Sequence, residues 1–191
     1  MLYVGASLIG YLLGSFPTAY VVMKSARDGV DILKNGTGNV GAMNVYEVSG
    51  SKSLGLIVGV IDILKGLVVT FIFGHHFGVL AGSTAGLFAV TGHNYSLYVK
   101  FRGGRGLATA AGVLLVIQPL AVAAYLAVYF ILRIVRLKLY VSSVIGILAA
   151  FVPVVARFMT QAGTLAIMST MFLIVLSKHL LPLKYEFEDA H

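Results

Sequence analysis

From Leu54 to Phe73 the chain reads LGLIVGVIDILKGLVVTFIF, twenty residues with only two charges. About twenty apolar residues at 1.5 Å rise each cross the roughly 30 Å hydrocarbon core of a bilayer. Comparable full-length runs cover 2–23 and 77–98. A longer apolar block covers 107–132, and shorter ones cover 141–156 and 162–181. Charged residues make up 11% of the 191, against the quarter or so usual in soluble domains. A chain this small cannot hide so much apolar surface from water, so lipid is its solvent. The expectation is an all-α, polytopic membrane bundle in one domain. The first segment lacks a preceding basic region and a small-residue cleavage site, so it reads as a retained span.

The block 107–132 contains Gln118–Pro119. Proline has no N–H for the helix ladder and pushes the residue before it out of the helical region. Splitting the block there predicts two short helices, about 107–117 and 120–132, which need either neighbouring protein to shield them or a locally thinned bilayer. The total is then about seven helices, with the N-terminus outside and the C-terminus cytoplasmic. Every Lys and Arg except Lys65 and Arg157 falls on the cytoplasmic side in that arrangement, as the positive-inside rule requires. Arg27, Lys178 and Lys184 are among them. Motif loops near 24–53, 99–106 and 133–143 then share one face.

The chain has no cysteine, which removes disulfides, thiolate nucleophiles and Cys-ligated metals. Loop one, NGTGNVGAMN, matches G-x-G-x-x-G at Gly36, Gly38 and Gly41. The dinucleotide reading of that pattern needs a βαβ unit with an acid about twenty residues on. Asp62 has the spacing but lies inside an apolar run, so the match is accidental. The Walker A pattern is absent. Loop two, KFRGGRG, opens a helix. Gly103, Gly104 and Gly106 bring backbone donors to a helix N-terminus, and Arg102 and Arg105 add forked donors, a combination suited to phosphate. A basic, flexible membrane-flanking loop accounts for RGGRG alone. Loop one on the same face favours anion binding.

Asp62 and Lys65 lie three apart on one helix face and can pair within the membrane. They read either as functional groups or as a structural clip. His93 and His179 read either as acid–base or phosphate-binding groups or as satisfied structural histidines. His75 and His76 have no acids near them, so no metal site is expected.

Together these pieces resemble the bacterial acyl-phosphate glycerol-3-phosphate acyltransferases, the PlsY family. YLLGSFPTAYVV is similar to that family's first helix, and GTGNVGAMN to its G-S-G-N-x-G-A-T-N motif. DILKG is similar to D-x-L-K-G, and GHNYSLYVKFRGGRGLATAAG to the family's G-H-x-Y-P segment and glycine-rich loop. The likeness covers most of the chain in order and spacing. It implies seven helices and a cytoplasm-facing site in a bacterial inner membrane. It also implies acyl transfer from acyl phosphate to the 1-hydroxyl of glycerol 3-phosphate, giving lysophosphatidate without metal, nucleotide or other cofactor.

The implied anion cradle is Gly36, Thr37, Gly38, Asn39 and Gly41 with Gly103, Gly104 and Gly106. Arg102, Arg105, Ser142 and Ser143 would hold phosphate. Asn44 would orient the acceptor, Asp62 and Lys65 would brace loop one, and His93 and His179 are the acid–base or positioning candidates. Membrane lipids are the other expected partners; neither nucleic acid nor an obligate protein partner is implied. An activated acyl donor needs no protein thiol, and a substrate phosphate can serve as base.

The chain departs from the pattern at Thr37 for Ser, Met43 for Thr, Glu47 for Arg, Arg102 and Arg105 for Lys, and HLLP for H-R-x-N after Ser177–Lys178. Glu47 and HLLP motivate a non-catalytic lipid-phosphate-binding reading. Glycine breaks within spans suggest a third, an organic-anion transporter.

Overall fold

A computed structural model describes residues 1–26 and 30–188, with side-chain surroundings through Leu180. Arg27 and the Lys184 side chain lie outside the described residues. Helices are α1 (Leu2–Ser15), α2 (Thr18–Ala26), α3 (Ala42–Ser49), α4 (Lys52–Phe77), α5 (Val79–Asn94), α6 (Leu107–Ile117), α7 (Pro119–Ile134), α8 (Leu139–Phe158) and α9 (Ala162–Glu188). A 3₁₀ turn covers Leu97–Val99. Among the described residues, four segments are long and apolar enough to cross a membrane: Leu2–Ala26, Lys52–Phe77, Leu139–Phe158 and Ala162–Leu180. The helices α6 and α7 are apolar but shorter.

The predicted break at Gln118–Pro119 is present. Gln118 sits at φ −154°, ψ 79°, and Pro119 occupies the first turn of α7, where its missing N–H costs nothing. The same chemistry acts where one continuous span over 2–23 was expected. Pro17 forces Phe16 out of helical geometry (φ −53°, ψ 121°), and the run divides into α1 and α2. The expected span 77–98 is also redrawn. Gly78, at φ 86°, separates α4 from α5, and α5 stops at Asn94. Loop one contains a helix of its own, α3, closed by Gly50 in the left-handed region.

Helix α5 has buried residues on every side, from Ala81 through Asn94, so it is the bundle's axis. It packs against α1, α4, α6 and α9, which explains how a 16-residue helix is accommodated. Short α6 is shielded by α4, α5 and α7. It approaches α4 so closely that a Cβ on Gly112 would lie 2.0 Å from the Ile63 carbonyl oxygen, and one on Gly66 would lie 2.1 Å from that of Thr109. Glycine at both positions lets the backbones touch.

The largest core joins α5, α6, α8 and α9 through residues such as Val90, Val113, Ile147, Val154, Phe158 and Met168. A separate cluster of Ala19, Met23, Ile32, Val40, Val45 and Val58 fastens loop one onto α2, α3 and α4. Loop one is therefore a folded part of the bundle. The Gln118 side-chain amide donates to the Pro153 carbonyl at 2.9 Å, tying the α6–α7 corner to α8.

Candidate active site

Loop one is wound around one amide. Asn44, in the first turn of α3, accepts from the Thr37 N–H at 2.8 Å. Its Nδ2 donates to the carbonyls of Asn39 at 2.7 Å, Asn35 at 3.2 Å and Ile32 at 3.4 Å. Gly36 is at φ 60°, and a Cβ there would lie 2.2 Å from Asn44 Oδ1. Asn44 borders the cavity described below, yet its amide is engaged at both ends with the loop. The geometry makes it an organiser of the loop, where acceptor orientation was expected. Gly36 and Gly38 shape the turn and do not border the cavity; Thr37, Asn39 and Gly41 do. Asn39 Oδ1 is buried without a hydrogen-bond partner.

Loop two packs on the end of α5. The Gly104 N–H donates to the His93 carbonyl at 2.9 Å, and a Cβ on Gly104 would lie 2.1 Å from His93 Nε2. One on Gly103 would lie 2.1 Å from the His93 carbonyl oxygen. These two glycines, expected in a phosphate cradle, make room for His93 and lie outside the cavity wall. Gly106, the N-cap of α6, borders the cavity. The two arginines part company. Lys100 and Phe101 have φ of 54° and 62°, and beyond this turn Arg102 is exposed and outside the cavity wall. Arg105 borders the cavity with its guanidinium carbon 4.4 Å from the centre of the Tyr140 ring. Arg102 is therefore not brought into the site.

Asp62 is 1% exposed and borders the cavity. Its Oδ1 accepts from Lys65 Nζ at 2.8 Å and from the Thr18 hydroxyl at 3.1 Å. His93 Nδ1 lies 3.7 Å from the same oxygen. Lys65 Nζ also donates to the Phe16 carbonyl at 2.6 Å, at the proline break, where the Thr18 N–H donates to the same oxygen at 3.0 Å. The pair was expected to brace loop one; it braces the α1–α2 break. His179 borders the cavity, with Nδ1 2.8 Å from the Val175 carbonyl. Ser143 borders it too. Ser142 does not: it is buried, and its hydroxyl donates to the Lys138 carbonyl at 3.0 Å.

The cavity encloses about 240 Å³ between loop one, the end of α5, the start of α6, α7, the start of α8 and α9. Ala42, Met43, Glu47, Leu107, Ala108, Tyr125, Tyr129, Leu139 and Tyr140 complete its wall. It adjoins an apolar groove of about 200 Å³ lined by α6, α7, α8 and α9, with Leu114, Val122, Ala150, Met171, Phe172 and Val175 in its wall. Leu107, Ala108 and Tyr125 belong to both walls. Sequence reasoning passed over the tyrosines. Their signal is the spacing of Tyr125 and Tyr129, one turn apart, whose rings stack at 5.6 Å. Among the described residues, no group of three or more His, Asp or Glu side chains could hold a metal ion.

A chamber whose wall carries one guanidinium, two imidazoles, two carboxylates and several hydroxyls adjoins an apolar groove inside a bundle of membrane-length helices, which defines an integral membrane protein with an amphipathic site. The chain belongs to the glycerol-3-phosphate acyltransferase family, whose model matches residues 4–185. It is 38% identical to a glycerol-3-phosphate acyltransferase of Geotalea daltonii over 171 residues, covering 88% of this chain and 86% of that one. It is 39% identical to one from Listeria monocytogenes over 182 residues, covering 91% and 87%. Among solved structures it is similar to PlsY, an integral membrane glycerol 3-phosphate acyltransferase. The glycerol 3-phosphate form matches with a TM-score of 0.87 and 27% identity, over 98% of this chain and 92% of that one. The lysophosphatidic acid form matches with a TM-score of 0.85.

Proposed function

We propose that this protein transfers a fatty acyl group from acyl phosphate to the 1-hydroxyl of glycerol 3-phosphate, the step that begins phospholipid synthesis. The observation that carries the reading is the junction of a chamber with charged and polar side chains in its wall and a groove that has almost none. The donor has that shape: a phosphate for the chamber and a hydrocarbon chain for the groove. Family membership favours it over a non-catalytic lipid binder or an anion transporter.

Arg105 holds phosphate in this reading, with the Thr37 hydroxyl and the α6 N-terminus behind Gly106 adding donors, while Ser143, expected to hold phosphate, donates to the Tyr125 oxygen 3.2 Å away. Gly103 and Gly104 seat His93 at the chamber wall, and Asn44 keeps the loop-one donors in place. The acceptor's hydroxyl proton ends on the released phosphate, so no protein group has to keep it. Acyl phosphate, glycerol 3-phosphate and bilayer lipids are the partners.

In the same reading the chain makes seven spans (α1 with α2, then α4 to α9) with its N-terminus outside, and the chamber faces the cytoplasm across a bacterial inner membrane. Basic residues support it: Lys24, Lys52, Lys100 and Arg133 fall at helix ends on the chamber's side, and Arg157 at the opposite end. The cysteine-free chain makes this directly testable. Single cysteines at Lys34 and Thr160, both exposed, should label from opposite sides of intact cells with an impermeant thiol reagent. Labelling from the same side refutes the topology.

The function is tested by giving purified protein palmitoyl phosphate and glycerol 3-phosphate and following phosphate and lysophosphatidate together. Matched formation of both is expected. Phosphate without lysophosphatidate refutes transfer to this acceptor, and neither product refutes the enzyme.

A further inference from the structure

The chamber and the groove meet at Leu107, Ala108 and Tyr125. A donor with its phosphate in the chamber and its chain in the groove places its carbonyl at that junction, because the carbonyl joins the two ends. Of the three shared residues, only Tyr125 carries a polar side chain. We propose that the Tyr125 hydroxyl donates a hydrogen bond to the acyl carbonyl oxygen and stabilises the charge it acquires during transfer. Tyr125 is thereby a catalytic residue of the reaction proposed above, on which this inference rests.

The ring is held from several sides. A Cβ on Gly146 of α8 would lie 2.9 Å from Tyr125 Cδ2 and 3.0 Å from Cε2, so the bare glycine gives the ring its seat. Tyr129 stacks on it with an interplanar angle of 12°. The hydroxyl oxygen lies 3.2 Å from Ser143 Oγ. With the Ser143 hydroxyl donating to the tyrosine oxygen, the tyrosine proton is left for the substrate. A donor fixed before reaction costs little reorganisation when charge develops, which is the basis of oxyanion stabilisation.

The electrons balance without any further reactant. The acceptor's hydroxyl oxygen forms a bond to the acyl carbon, and the carbonyl π pair moves onto the carbonyl oxygen facing Tyr125. That pair returns as the bond from carbon to the phosphate oxygen breaks. Phosphate leaves with the bonding pair and takes up the acceptor's hydroxyl proton. Tyr125 keeps its proton throughout.

The test compares wild type with Tyr125→Phe, using octanoyl and palmitoyl phosphate as donors. Phenylalanine keeps the ring, its stack and its seat, and removes one oxygen. The expected result is a fall in kcat of about 100-fold, with KM for the donor changed less than about threefold and the same fall at both chain lengths. Unchanged kcat overturns the inference. A loss confined to KM, or to the palmitoyl donor, also overturns it and makes Tyr125 a wall of the groove alone. Tyr125→Leu, which removes the ring as well, should raise the donor KM in addition; a kcat equal to wild type in that variant overturns the assignment independently. A wild-type protein that makes no lysophosphatidate refutes the underlying function and this inference with it.

Discussion

Removing the charge of Asp62 should destabilise the protein far more than removing both members of its pair. Lys65 is only 8% exposed at its side chain and Asp62 2%, and their atoms meet at 2.8 Å. Asp62→Asn keeps the shape and leaves an ammonium buried with the Phe16 carbonyl as its remaining partner. Breaking a buried pair from one side costs about 3–5 kcal/mol, because the other charge stays desolvated. Near 2–4 °C per kcal/mol for a chain of this size, the midpoint should fall by about 10 °C. Lys65→Met alone leaves the carboxylate with Thr18 and should fall comparably. The double variant Asp62→Asn/Lys65→Met removes both charges, and the Phe16 carbonyl keeps the Thr18 N–H, so it should stay within about 2 kcal/mol of wild type. Thermal unfolding in one detergent, measured on all four proteins, should yield a coupling energy of about 3 kcal/mol or more. Additive single effects would refute the buried-pair argument.

Gly104→Ala would place a methyl 2.1 Å from His93 Nε2, so turnover should drop at least about tenfold, as read from lysophosphatidate formation. Glu47→Arg replaces a carboxylate in the chamber wall with a cation and should lower KM for glycerol 3-phosphate several-fold, an effect that fades with added salt. Arg105→Ala should raise KM for the phosphorylated substrates about tenfold or more, whereas Arg102→Ala should leave it within about twofold; steady-state kinetics separate them. Gly112→Ala must push α6 off α4 and should cost about 1–3 kcal/mol in thermal unfolding.

The helices were legible where the apolar runs had punctuation. Gln118–Pro119 announced the α6–α7 corner, and the structure breaks there. Phe16–Pro17 carried the same signal, yet the apolar run on both sides masked it, and the segment Leu2–Ala26 still reads as one span by composition. The motif loops were legible as polar, glycine-rich and grouped. Which residues face the chamber was not, because that depends on local turns. Two positive φ values before Arg102 turn the chain at one arginine and leave its neighbour three positions on at the wall. Asn44 was visible as a motif residue. Its engagement with Ile32, Asn35, Thr37 and Asn39 exists only once loop and helix fold together. Tyr125 was hidden because an aromatic residue in an apolar helix looks like any other core position.

Leu126, 43% exposed on α7, also forms part of the apolar groove's wall, so the groove reaches the bundle's lipid-facing surface. A donor whose chain enters there arrives by diffusing within the leaflet, and its product departs the same way. The quantity that saturates such an enzyme is the donor's mole fraction in the surface. At fixed donor, adding inert lipid or detergent should slow turnover by surface dilution, while adding water should not.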